Sequence, residues 1–157
     1  MTGFDSPPAD ADWMRAALCE AERAAAEGEV PVGAVIVREG NLVSRAHNRR
    51  ETAQSALAHA EILAIDTACR ALQSWRLPDC DLYVTLEPCP MCAGAVVNAR
   101  VRRVIFGARD PKAGALGSIT DIFALPVNHH PQVTEGVLEA ECAALLRDFF
   151  RARRVPK

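Results

Sequence analysis

The sequence predicts an α/β fold of three layers, α/β/α, built on a mixed, mostly parallel sheet. Two observations lead there. Strand-like runs alternate along the chain with stretches whose apolar residues recur every three or four positions, and the first two strand-like runs are separated only by a tight turn. A hairpin followed by strand and helix in alternation gives a sheet whose later strands run parallel, with helices covering both faces. The length of 157 residues suits one domain over 1–157 with a core of its own, and half of the residues are hydrophobic.

The elements follow in order. Asp10 or Asp12 is placed to cap a first helix, in which Trp13, Ala17, Leu18, Ala21 and Ala25 form an apolar stripe and Gly28 is a natural stop. Val32 to Val37 is a β-branched run, Glu39-Gly40-Asn41 reads as a turn, and Leu42 to His47 returns as a more polar strand. From His59 to Leu72 the apolar positions Ile62, Leu63, Ile65, Ala68, Cys69 and Leu72 keep helical spacing, which puts His59 in the first turn of a helix. Asp81 to Leu86 is a strand, Pro88 and Pro90 mark a turn, and Met91 to Ala99 is a short helix with Cys89 and Cys92 near its start. Val101 to Ala108 is a further strand and Arg109 to Ile119 a glycine-containing loop. Gly136 or Val137 to Arg154 is a closing helix with Leu138, Cys142, Leu145, Leu146 and Phe149 inward.

Charge excludes one class of function. A formal net charge of -2 is wrong for a protein that coats nucleic acid through many phosphate contacts. The charge is uneven, however. Residues 1–30 carry Asp5, Asp10, Asp12, Glu20, Glu22, Glu27 and Glu29 against Arg15 and Arg23, net acidic by five. Residues 146–157 carry Arg147, Arg151, Arg153, Arg154 and Lys157 against Asp148, net basic by four, enough for a local anion-binding rim. No apolar run reaches the length of a membrane span and the first residues lack a signal-peptide pattern, so the expected location is the cytoplasm. In that compartment Cys19, Cys69 and Cys142, within apolar helical stretches, are expected to pack as reduced, small hydrophobes.

The chemistry is concentrated in two segments, His59-Ala60-Glu61 and Pro88-Cys89-Pro90-Met91-Cys92. The two-residue gap lets one turn present both sulfurs to a single ion, and His59 adds a nitrogen from elsewhere. Three protein ligands leave the fourth tetrahedral position of a zinc ion to water, whose pKa then falls to roughly 7. Glu61 is too close in sequence to His59 for both to reach the metal easily, but it is well placed to move the protons of that water. Both thiols sit at a helix start, where amides and the helix dipole favour thiolate. A structural zinc site would need a fourth ligand from His47, His129, His130, Cys19, Cys69, Cys80 or Cys142, none of which forms a second close pair. A redox Cys-x-x-Cys does not call for the upstream His-x-Glu. The His-Glu-x-x-His pattern of a zinc peptidase and the three histidines of carbonic anhydrase chemistry are both missing.

The combination of H-x-E with P-C-x-x-C resembles the zinc deaminase signature. The likeness spans nearly the whole chain. Val30-Pro31-Val32-Gly33-Ala34-Val35, His47-Asn48-Arg49, Tyr83 to Ala95, Phe106-Gly107-Ala108-Arg109-Asp110 with Lys112 and Gly114, Asn128-His129 and Phe149 to Arg154 resemble the bacterial tRNA-specific adenosine deaminases. The resemblance implies a cytidine deaminase-like fold with five strands, one more than periodicity identifies. It also implies one zinc per subunit, and a homodimer that converts the wobble adenosine of an arginine tRNA anticodon stem-loop to inosine. Zinc would be held by His59, Cys89 and Cys92, and zinc-bound hydroxide would attack with Glu61 as proton shuttle. Asn48 would contact the purine. Arg109, Asp110, Asn128, Phe150, Arg151 and Arg153 would lie near the splayed loop, with no DNA partner expected. Unpaired loop bases are also those that cost least to extract. The alternative within the same chemistry is a free nucleobase or nucleoside of guanine or cytosine type. One departure is Ser55-Ala56-Leu57, where many relatives carry Asp-Pro-Thr before the histidine.

Overall fold

The computed structural model describes residues 9–154, so Asp5 and Lys157 lie outside the described residues. Its elements are α1 (Asp10–Ala26), β1 (Gly33–Arg38), β2 (Asn41–His47), α2 (Ala60–Leu72), β3 (Cys80–Leu86), α3 (Pro90–Asn98), β4 (Arg103–Ala108), β5 (Gln132–Thr134) and α4 (Glu139–Arg154). The sheet order is β2-β1-β3-β4-β5. β1 is antiparallel to both β2 and β3, while β3, β4 and β5 are mutually parallel. Four strands therefore share one direction and β1 alone is reversed, because the chain leaves the hairpin through α2, passes over β1 and pairs β3 on its far side.

The pleat sends alternate side chains to two cores, one on each face. Ala34, Ile36, Leu82, Val84, Val104 and Phe106 face α2 and α3, whereas Val35, Val37, Tyr83 and Ile105 face α1 and α4. The three layers expected from the sequence are thus present. α1 lies unusually close to the sheet. A Cβ on Gly33 would fall 2.0 Å from the Ala17 carbonyl and 2.5 Å from the Ala21 nitrogen, so only glycine admits this packing.

Several details depart from the sequence expectations. Neither Asp10 nor Asp12 is the cap residue of α1, which is Ala9. Asp12 reaches back to accept the Ala9 amide at 3.1 Å, and Asp10 instead binds the Tyr83 hydroxyl at 2.8 Å and Arg103 at 2.5 Å. The inward stripe of α1 is Met14, Ala17, Glu20, Ala21 and Ala24, a phase that leaves Cys19 exposed rather than packed. α4 starts later than expected because Gly136 and Leu138 take left-handed φ of 79° and 54°. β5 has only three residues, mostly exposed, too few for alternation to register.

Candidate active site

β2, β3 and β4 end at one edge of the sheet, where reversed β1 begins, and a cavity of about 190 Å³ opens there. Open α/β sheets place ligands at this edge. His59 is the N-terminal cap residue of α2 and Cys89 that of α3, with Pro90 fixing the first helical position after it. Two helix starts converge as a result. His59 Nδ1 lies 3.6 Å from Cys89 Sγ and 3.5 Å from Cys92 Sγ, and the three donor atoms fall within 4.8 Å of one another. Among the described residues this is the one cluster of three or more metal-capable groups.

The fourth ligand of a structural site does not materialise. His47 lies between Glu20 at 3.2 Å and Glu27 at 3.0 Å, His129 is held by the Val101 carbonyl, and His130 by that of Phe123. One imidazole and two thiols, clustered and partly buried, fit zinc with one position left for water. The hydrogen bond from Cys92 holds Cys89 down to about 4 despite burial, and the same bond pushes Cys92 up. Donation to Cys89 also raises His59.

Glu61 is one residue into α2 and 4% exposed. Burial raises its carboxyl to about 7, the range in which a proton shuttle works at neutral pH. Glu61, His59, Cys89, Asn48 and Asp110 all line the cavity. Asn48, buried at the end of β2, donates to the Val30 carbonyl at 3.3 Å and accepts the Arg50 amide at 3.1 Å.

The remaining expected contacts spread outward. Arg109 is bound by Glu135 and lies 6.0 Å from the Phe106 ring centroid. Phe150 is exposed and packs edge-on to Phe149, Arg151 is exposed, and Arg153 stacks on Phe149 at 4.6 Å and donates to the Gly28 carbonyl. Arg153 thereby ties the basic end of α4 to the turn two residues before Val30 of the cavity wall. Asn128 is not brought to the cavity. It is exposed next to His129, whose Nε2 is 2.6 Å from the Val101 carbonyl ahead of β4, toward the opposite edge of the sheet.

Two buried carboxylates that sequence reasoning passed over hold the cavity walls. Glu87 accepts the amides of Asp110 at 3.0 Å, Leu116 at 2.9 Å and Ser118 at 3.1 Å, and the Ser118 hydroxyl at 2.5 Å. Gly114 lies against it, since a Cβ there would sit 2.3 Å from the carboxylate. Glu29 accepts the amides of Glu51 and Thr52, fixing the loop that leads to His59. Nothing in their spacing marks either residue; only the folded chain shows which acids are buried.

A three-layer fold with a His-Cys-Cys cluster and a buried glutamate at its ligand end is the arrangement of the deaminases, a class of hydrolases. Comparison with known proteins narrows the class. A family model of MafB19-like deaminases matches residues 9–154. The chain is 53% identical to the tRNA-specific adenosine deaminase of Bacillus subtilis over 92% of its own length and 91% of that protein, and 49% identical to that of Agrobacterium fabrum over 91% and 95%. A solved structure from work on A-to-I editing by tRNA:A34 deaminases at the wobble position superposes with a TM-score of 0.84 at 48% identity, covering 86% of this chain and 99% of that one. A guanine deaminase from Nitrosomonas europaea superposes with a TM-score of 0.79 at 27% identity, covering 90% and 84%. The chain belongs to the MafB19-like deaminases and, within them, to the tRNA-specific adenosine deaminase family.

Proposed function

We propose that the chain is a single zinc-dependent domain that deaminates the wobble adenosine of an arginine tRNA to inosine, as a cytoplasmic homodimer with one zinc per subunit. The observation that carries the reading is the buried Glu61 carboxylate beside an open three-donor cluster on the wall of a cavity. His59 through Nδ1, Cys89 and Cys92 would hold the ion. The chemistry supplied by a bound zinc is acidification of water to a pKa of roughly 7. Glu61 accepts a proton from the attacking water, then delivers protons to the ring nitrogen and to the departing amine, so that adenosine and water become inosine and ammonia.

The cavity, at about 190 Å³, is below the roughly 300–1,000 Å³ that takes a whole drug-sized ligand, which suits one flat ring with the rest of the nucleotide outside. Asn48 offers its amide to that ring, and Asp110 faces it from the β4 side. The reading is tested by incubating zinc-loaded protein with an arginine-tRNA anticodon stem-loop and measuring inosine by mass spectrometry. Inosine at the wobble position is expected, and its absence overturns the reading. The likeness to a guanine deaminase motivates the alternative, a free base as substrate. Rapid turnover of guanine or cytosine with none of the stem-loop would favour it.

A further inference from the structure

We infer that Arg50 is the phosphate-reading residue of the cavity mouth, binding the phosphodiester of the nucleotide whose base enters; this rests on the proposed nucleic-acid reading. Glu61, Glu87 and Asp110 line the cavity as acids, and Arg50 is the one arginine or lysine among its lining residues. A nucleotide brings a fixed negative charge to this mouth, and its backbone needs a cation there.

Arg50 is also free to meet a ligand. Among the described residues it makes no ion pair with any carboxylate, although Arg109, Arg103, Arg102 and Arg38 are each engaged by an acid. Glu29, whose charge feels that of Arg50, directs one oxygen to the Glu51 amide and the other to the Thr52 amide. The residue is exposed, yet its backbone is held on both sides. Its amide donates to Asn48 Oδ1 at 3.1 Å, and its carbonyl accepts the Ser55 amide at 3.1 Å. The turn that holds Asn48 in the cavity wall therefore also mounts the guanidinium, and a planar, permanently charged fork suits phosphate. A free base, having no phosphate, gains nothing from this cation, so Arg50 would select nucleotides in a strand.

The test compares zinc-loaded wild type, Arg50→Gln and Arg50→Lys binding an anticodon stem-loop that carries inosine at the target position, across a range of salt. Losing one phosphate contact to single-stranded RNA should flatten the slope of log Kd against log salt by roughly 0.7 in Arg50→Gln. Affinity at low salt should also fall about tenfold. Arg50→Lys should keep the wild-type slope and recover part of the affinity, because charge sets the slope and the bidentate fork does not. A side chain that merely supports the loop would leave the slope unchanged in both variants, and that result overturns the inference. If wild type forms inosine on the stem-loop while Arg50→Gln keeps its slope, only the Arg50 assignment falls; if wild type forms none, the nucleic-acid reading falls with it.

Discussion

Replacing Glu87 with alanine removes the acceptor shared by four donors of the 110–118 loop. The Leu116 amide is in a buried contact and has no other acceptor at hand, so it bears the full penalty of an unmade hydrogen bond, about 1–3 kcal/mol. The Asp110 and Ser118 amides are only partly buried, and water entering the space left by the carboxylate can reach them, which lowers each loss to roughly 0.5–1.5 kcal/mol. The Ser118 hydroxyl can turn to solvent. Because neighbouring losses are not additive, a total of about 3 kcal/mol is expected. For a chain of this size that lowers Tm by roughly 6–12 °C. Thermal unfolding of the zinc-loaded variant, followed by circular dichroism, measures the shift, and amide exchange should show residues 110–118 losing protection first. A Tm within 2 °C of wild type, with protection retained, would refute the claim that one carboxylate ties this wall to the cysteine turn.

Other outcomes follow from the same structure. Glu61→Gln should bind zinc in full while turnover falls by at least about 10²- to 10⁴-fold, checked by metal analysis and inosine release. Gly33→Ala drives a Cβ into the α1 backbone and should cost about 3 kcal/mol or leave the protein insoluble; an unchanged Tm would contradict the packing. Asp10 has a folded pKa below its ordinary 3.8, because although burial raises it, the hydrogen bonds from Arg103 and Tyr83 and the Arg103 charge more than offset that. A depressed pKa contributes stability above the unfolded value and loses it as pH falls through the folded one. Unfolding midpoints measured from pH 5 down to pH 2 should therefore fall more steeply for wild type than for Asp10→Asn; parallel curves would remove the network from the account. Glu29 is likewise held below its ordinary 4.5: burial raises it, and the hydrogen bonds from Thr52 and Glu51 with the Arg50 charge outweigh that. Glu29→Gln should flatten the same acid limb.

Much of the site was legible because its parts are local. His59, Glu61, Cys89 and Cys92 occupy two short segments, and helical spacing after each told where the helix starts would be, within one residue. The hairpin and β3 were legible from β-branched runs and a glycine turn. What could not be read depends on contacts distant in sequence. The placement of β1 between β2 and β3 comes from α2 crossing it, and Asp10 serves Arg103, 93 residues away, rather than its own helix. Glu29 and Glu87 look like any other acids until burial and their amide donors are known. Asn128, expected near the splayed loop, has no such local signal, and the fold leaves it outside the lining of the cavity.

X-ray absorption at the zinc edge of the metal-loaded enzyme tests the centre most directly. Two sulfurs at roughly 2.3 Å and two nitrogen or oxygen neighbours near 2.0–2.1 Å are expected, one of the latter exchangeable with solvent or a bound inhibitor. A third sulfur, or a second imidazole closing the coordination sphere, would contradict a hydrolytic site.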